Sequence, residues 1–333
     1  MRIAVIGAGS WGTTLADLLA GKGEQVTLWA YETGVAEDIN SSSRNDLFLP
    51  GITLNPELRA GSDLEKVVAG SEVVVTACPS HVMRTLVGRA AGSISKGAVI
   101  VNVSKGLETG TLIRMSEVLR EVIPAETGAR LATLSGPSFA LEVAQKLPTV
   151  ITAASDNEET ATFVQKLFST PFFRVYKHDD VVGVELGGSL KNTVAIATGM
   201  IEGAGLGMNT RAALITRGLV EITRLGTSLG ARAATFSGVS GLGDLVLTCT
   251  GDLSRNRRVG LRIGQGETLE EITRDTRTVA EGIKTTESAH ALSLKHGIEM
   301  PITGQIYRIL FKGHSVQGAI AELMNRELKQ EYD

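Results

Sequence analysis

The stretch that most constrains the fold is the first: MRIAVIGAGSWG, followed by TTLADLL. A short β-branched run over residues 3–6 enters a loop with glycines at 7, 9 and 12, and helical periodicity through Leu15, Leu18 and Leu19 follows. In a chain with 38 glycines this spacing alone can arise by chance. Its place between a strand and a helix is what gives each glycine a task. Gly7 permits a tight turn, Gly9 lets the backbone approach a pyrophosphate, and Gly12 lets helix and strand pack closely. The helix N-terminus then presents free N–H groups to an anion. The stretch reads as a dinucleotide cradle.

The rest of the first half repeats the alternation. Strands are expected over 26–29, 73–78, 98–103, 131–134, 149–154 and 172–176. Between them come a short helix opened by a Ser62/Glu65 capping box, a helix from Pro79 through Val82, Leu86 and Val87, and one from Met115 ended by Pro124. Strands separated by helices pair in parallel through right-handed crossovers, so the expected fold is a doubly wound, Rossmann-like α/β sheet. After residue 180 no strong alternating run remains. Helical segments are expected near 180–203, 209–229, 285–296 and 315–330, rich in Ala and Gly. The expected plan is a dinucleotide-binding domain over 1–180 and an all-helical substrate-binding and catalytic domain over 181–333, with a small-molecule site in the cleft between them.

Composition excludes several classes. A net charge of −3 argues against a nucleic-acid partner, which requires a basic excess on at least one face. Cys78 and Cys249 stand far apart, and the five histidines form no ligand-spaced cluster, so neither a disulfide framework nor a metal site is expected. The N-terminal apolar run is broken by glycines too early for a signal peptide, and no stretch approaches a membrane span. A cytoplasmic protein is expected.

Several stretches carry residues able to do chemistry. Glu32 stands about 20 positions beyond the glycine loop, where an acidic residue holds the ribose of NAD. Tyr31 precedes it, and Arg44, folding back, would instead accept the 2′-phosphate of NADP. Lys105, in VSKGLE, follows a strand at its carboxyl end: a ligand contact or a solvated loop lysine. Lys191 sits mid-helix in ELGGSLKN with little charge around it, and is expected to point into a cleft rather than snorkel to solvent. The SRNRR run clusters Arg255, Arg257 and Arg258 beside Ser254 and Asn256: a phosphate or carboxylate clamp, or a basic surface loop. Asp244 is a helix N-cap, or orients the Lys191 amine if the two meet. Gly136 and Ser138, in SGPSFA, turn small polar groups toward a ligand at a strand end.

Taken in order, GAGSWGTTLA, RNDLFLPG, VSKGLE, LSGPSFA, ELGGSLKN, SGLGDLVLTC, SRNRRVG and VAEGIKT resemble the bacterial NAD(P)-dependent glycerol-3-phosphate dehydrogenases over essentially the whole chain. The resemblance implies reversible NAD(P)H-dependent reduction of dihydroxyacetone phosphate, supplying glycerophospholipid synthesis, by a homodimer. It implies Lys191 as the catalytic proton-transfer lysine and Lys105 as a lysine touching both substrate and cofactor. Gly136, Ser138, Asp244, Ser254, Arg255 and Asn256 would hold the three-carbon phosphate. Ser10, Trp11, Ala140, Arg255, Val279 and Glu281 would contact the cofactor, with Gly7, Gly9 and Gly12. Tyr31 departs from the basic residue common after the second strand, and Phe48 stands where a tyrosine is frequent. A related two-domain ketopantoate or β-hydroxyacid dehydrogenase is the alternative, although such a substrate has no phosphate for SRNRR to grip.

Overall fold

The computed structural model describes residues 1–275 and 280–331. Eight strands form one sheet: β1 (Arg2–Ile6), β2 (Gln25–Trp29), β3 (Arg59–Gly61), β4 (Val73–Thr76), β5 (Val99–Asn102), β6 (Arg130–Ser135), β7 (Thr149–Ala154) and β8 (Phe173–His178). Their order is β3-β2-β1-β4-β5-β6-β7-β8. The strands are apolar on both sides because both faces of the sheet are covered. Ile3 and Val5 of β1 point into one core, while Ala4 and Ile6 point into the other.

On the first face lie α1 (Ser10–Gly21), α2 (Thr33–Ser42) and α7 (Glu158–Phe168), burying Leu15, Leu19, Ile39, Val164 and Phe168. On the second lie α3 (Leu64–Val68), α4 (Met83–Ala90) and α5 (Met115–Val122), burying Leu64, Val68, Met83, Val87 and Leu119. The short α6 (Ala140–Ala144) docks on α1, where Thr14 Oγ1 donates to the Ala140 carbonyl at 3.2 Å.

Three details differ from the sequence-based expectation. β7 runs antiparallel to β6, whereas every other neighbouring pair is parallel. β3 is an additional edge strand of three residues with no β-branched side chain. The cap of α3 is Asp63, which accepts the Lys66 N–H, rather than Ser62.

Beyond His178 the described chain is helical: α8 (Val181–Gly203), α9 (Met208–Ser228), α10 (Ala233–Phe236), α11 (Asp244–Thr250), α12 (Arg255–Gly264), α13 (Leu269–Asp275), α14 (Glu281–His296), α15 (Pro301–Lys312) and α16 (Val316–Met324). α8 is the axis of this half and is buried over nearly its whole length. Glycines on both helices allow the α8 and α12 backbones to touch. A Cβ at Gly199 would land on the Arg257 carbonyl, and one at Gly260 on the Ile196 carbonyl. Asp180 caps α8 by accepting the Gly183 N–H at 2.8 Å, and also takes the Thr235 hydroxyl at 2.6 Å. None of the described helices is long and apolar enough to cross a membrane.

Candidate active site

The glycine loop lies where the strand order reverses, between β1 and β4, at the crevice where open α/β sheets take ligands. Gly7 has φ +116°, and a Cβ there would meet the Ala77 carbonyl oxygen at 2.8 Å. A Cβ at Gly12 would land on the Gly7 carbonyl. At Gly9, by contrast, nothing lies within 4 Å of such an atom. This open space adjoins the start of α1, which has no side-chain cap. The first-turn N–H groups are therefore left for an anion, and the site fits a dinucleotide pyrophosphate.

A second loop is fastened onto this cradle. Asn45 Nδ2 donates to the Ala8 carbonyl at 2.9 Å and to Thr13 Oγ1 at 2.8 Å. The Ser10 hydroxyl donates to the Phe48 carbonyl at 2.5 Å, and Trp11 and Phe48 both pack on the first-face core. At the end of β2, Tyr31 is 79 % exposed and Glu32 stands exposed at the start of α2. The Arg44 guanidinium pairs with Asp46 at 3.0 Å.

The chemically active groups meet at the carboxyl edge of the sheet. Lys105 leaves the end of β5, Lys191 comes from the middle of α8, and Asp244 is the first residue of α11. Asp244 accepts Lys191 Nζ on Oδ1 at 2.5 Å and Lys105 Nζ on Oδ2 at 2.6 Å. The second hydrogen bond of Lys191 goes to Thr248 Oγ1 at 2.6 Å, and that of Lys105 to the Gly136 carbonyl at 3.2 Å. Thr248 donates its own proton to the Asp244 carbonyl at 2.6 Å, so it can only accept from Lys191. Each ammonium has three N–H groups and uses two here, leaving one free for a ligand. Burial pushes the Lys191 pKa down to about 8, Asp244 acts against that shift and the Lys105 charge adds to it. Cys249, beside them, is an inert thiol pushed up to about 12 by burial.

The other expected residues fall around this group. Gly136 has φ +148°, with Ile151 Cα only 2.9 Å from where a Cβ would stand, and Ser138 Oγ donates to the Gly136 carbonyl at 3.1 Å. Glu281 opens α14; burial raises its pKa, while Arg255, the Ser80 N–H, Lys105 and Lys191 act to lower it. Asn256 joins α12 to α14 by accepting the Gly282 N–H at 3.0 Å. Val279 lies outside the described residues.

The SRNRR run is not a loop carrying three equivalent arginines. Ser254 caps α12 by accepting the Arg257 N–H at 3.2 Å, and the arginines that follow are helical. Arg255 and Arg258 are exposed, while Arg257 turns inward to Glu202 at 2.7 Å and Asp252 at 2.9 Å. Arg257 is thus a structural residue and no part of a clamp. Thr248 joins the group without a sequence motif of its own, although its i+4 spacing from Asp244 puts both on one helix face. Glu185 is a second buried charge in the helix that carries Lys191.

Comparison with known proteins identifies the family. The family models described as the NAD-dependent glycerol-3-phosphate dehydrogenase N-terminus and C-terminus match residues 2–161 and 180–321. A glycerol-3-phosphate dehydrogenase [NAD(P)+] of Syntrophotalea carbinolica is 55% identical over 333 residues, covering 100% of both chains. One from Citrifermentans bemidjiense is 55% identical over 330 residues, covering 99% of this chain and 98% of its own. The crystal structure of the Coxiella burnetii glycerol-3-phosphate dehydrogenase superposes with TM-score 0.92 at 42% identity, covering 98% of this chain and 99% of that one. A ketopantoate reductase from Ralstonia eutropha, at 14% identity and TM-score 0.61, shares the fold alone. The ketopantoate alternative is set aside accordingly. The chain belongs to the NAD-dependent glycerol-3-phosphate dehydrogenase family.

Proposed function

We propose that this chain reversibly reduces dihydroxyacetone phosphate to sn-glycerol 3-phosphate with NAD(P)H, with Lys191 as the proton donor. The observation that carries the reading is the shared carboxylate. Asp244 holds two ammonium groups on its two oxygens, and each keeps one N–H unused. A bound nicotinamide supplies the hydride for the substrate carbonyl carbon. Lys191 gives its free proton to the carbonyl oxygen and becomes a neutral amine, with its other two N–H groups still on Asp244 and Thr248. The Lys105 ammonium stabilises the developing alkoxide. Loss of charge at Lys191 is accessible near neutral pH because burial and Lys105 have already lowered its pKa.

In this reading residues 1–180 form the dinucleotide domain, with Gly7, Gly9, Ser10, Trp11, Gly12, Phe48 and Ala140 lining the cofactor. Residues 181–333 supply the substrate side. Arg255 grips the phosphate together with the start of α12 at Ser254 and Asn256, and Gly136 and Ser138 close the site from β6. Such remote binding energy holds the carbonyl in line for reaction. The enzyme works as a cytoplasmic homodimer and feeds glycerophospholipid synthesis.

A steady-state assay of dihydroxyacetone phosphate reduction with NADH and NADPH in parallel tests the reading. Lys191→Ala is expected to lose most of kcat while still binding NADH in a fluorescence titration. Near-normal turnover by that variant would overturn the assignment.

A further inference from the structure

Glu185 and Ser189 lie one turn apart on the same face of α8, and both are buried against the sheet-bearing half. Glu185 is the more heavily bonded. Its Oε1 accepts the Ser116 N–H at 2.9 Å, Asn102 Nδ2 at 3.3 Å and Thr133 Oγ1 at 3.4 Å. Its Oε2 accepts Ser116 Oγ at 2.5 Å and Arg114 Nη1 at 2.9 Å. These donors come from the end of β5, the interior of β6 and the start of α5, so one carboxylate gathers all three onto α8.

Asn102 carries the connection onward. It is the last residue of β5, and while its amide nitrogen reaches Glu185, its Oδ1 accepts the Ser104 N–H at 3.1 Å. Ser104 is fixed in turn through its hydroxyl, which lies 2.6 Å from the Cys78 carbonyl. On the other side of Lys105, the Gly106 N–H donates to Ser189 Oγ at 2.8 Å. Gly106 has φ +143°, and a Cβ there would stand 2.6 Å from Ser80 Oγ, so this loop has one tight path. Both neighbours of Lys105 are therefore tied to α8, the helix that carries Lys191.

We infer that Glu185 and Ser189 are positioning residues that fix the Lys105 loop relative to Lys191 and thereby set the charge environment in which Lys191 donates its proton. Neither touches Asp244 or Lys191; they act through Asn102, Ser104 and Gly106. The inference rests on the reading of Lys191 as the proton donor. The charged groups around Lys191 are Asp244, Lys105 and Glu281, and only Lys105 belongs to the tethered loop.

Two variants and two readouts test this. Glu185→Gln replaces an acceptor-only group by an amide that cannot accept from all five donors. Ser189→Ala removes only the acceptor of Gly106 and changes no charge. In both, amide hydrogen exchange over residues 103–108 is expected to accelerate, by about tenfold or more. Releasing Lys105 takes a like charge away from Lys191 and leaves Asp244 to it alone. The alkaline limb of kcat for dihydroxyacetone phosphate reduction is then expected to move up by about half a pH unit.

A direct field effect of losing the Glu185 charge has the opposite sign, because removing an anion favours the neutral amine. A merely structural role lowers Tm and leaves the limb where it is. Unchanged loop exchange, or a limb that stays or falls in the variants that fold, overturns the inference; if Glu185→Gln does not fold, Ser189→Ala decides. Failure of the Lys191 reading is recognised separately. It appears as turnover retained in Lys191→Ala, while hydrogen exchange still reports whether the loop is held.

Discussion

Lys191 and Asp244, 6 % and 1 % exposed, face each other at 2.5 Å across the contact between α8 and α11. Burial lowers the Lys191 pKa to about 8. Reduction consumes the ammonium form, so kcat for dihydroxyacetone phosphate is expected to fall as pH rises through about 8. Oxidation of glycerol 3-phosphate needs the neutral amine and is expected to rise through the same value. Asp244→Asn leaves both lysines without their counter-ion and is expected to lower kcat by about 10²-fold or more. Rate profiles in both directions between pH 6 and 10 check this, and flat profiles would speak against Lys191 as the titrating group.

From the end of β2 we predict a preference for NADH. Glu32 is exposed where an acidic residue receives the ribose 2′-hydroxyl, and Arg44, which would accept a 2′-phosphate, pairs with Asp46. Repulsion between Glu32 and a 2′-phosphate is expected to favour NADH by roughly tenfold or more in kcat/KM. Glu32→Ala should narrow that ratio. Equal or better use of NADPH by the unaltered enzyme would be the contrary result.

Arg255 and Arg257 should separate binding from folding. Arg255→Ala is expected to raise KM for dihydroxyacetone phosphate by about 10- to 100-fold through lost charge-assisted hydrogen bonds, with Tm unchanged. Arg257→Ala removes a buried guanidinium that bridges Glu202 and Asp252 while Arg211 still pairs with Glu202, and is expected to cost about 1–2 kcal/mol of stability. Kinetics and thermal denaturation of the two variants provide the comparison; the reverse pattern would refute the division.

Gly260 and Gly304 are both helical glycines in opposite surroundings. A methyl group at Gly260 would collide with the Ile196 backbone, and Gly260→Ala is expected to lose about 3 kcal/mol or more. Gly304 in α15 has nothing within 4 Å, and Gly304→Ala is expected to gain about 0.5–1 kcal/mol from the unfolded chain's lost freedom. Denaturant midpoints of both variants measure the contrast.

Long apolar strands and the glycine loop were legible because burial on both faces and the G-x-G-x-x-G spacing are local properties of the chain. β3 was not, because Arg59–Gly61 has no apolar pattern and exists only by pairing with β2. The direction of β7 was hidden for a similar reason: the connection holding α6 suits either sense, and only the partner strand decides. Lys191 was legible as a charge in an apolar helix. Glu185 met the same criterion, but its partners lie 52 to 83 residues away and nothing local points to them. Adjacency in SRNRR does not show which way each arginine points. Once the segment is helical, positions 255 and 257 lie about 200° apart, and one faces out while the other faces in.

The reversal of β7 has a consequence for reach. Because β7 and β8 run against the rest of the sheet, the chain leaves it at His178, in register with Ala154 and hence with Thr133, below the ligand-bearing edge. α8 therefore climbs alongside the sheet before it clears the rim, passing Thr133 with Glu185 and Ser135 with Gly188. From Glu185 to Lys191 the helix rises about 9 Å. The lysine's height and bearing are thus fixed by the number of residues between the sheet exit and position 191. A single residue inserted between Asp180 and Lys191 would turn its amine by about 100° and carry it away from Asp244, even with every side chain of the site intact.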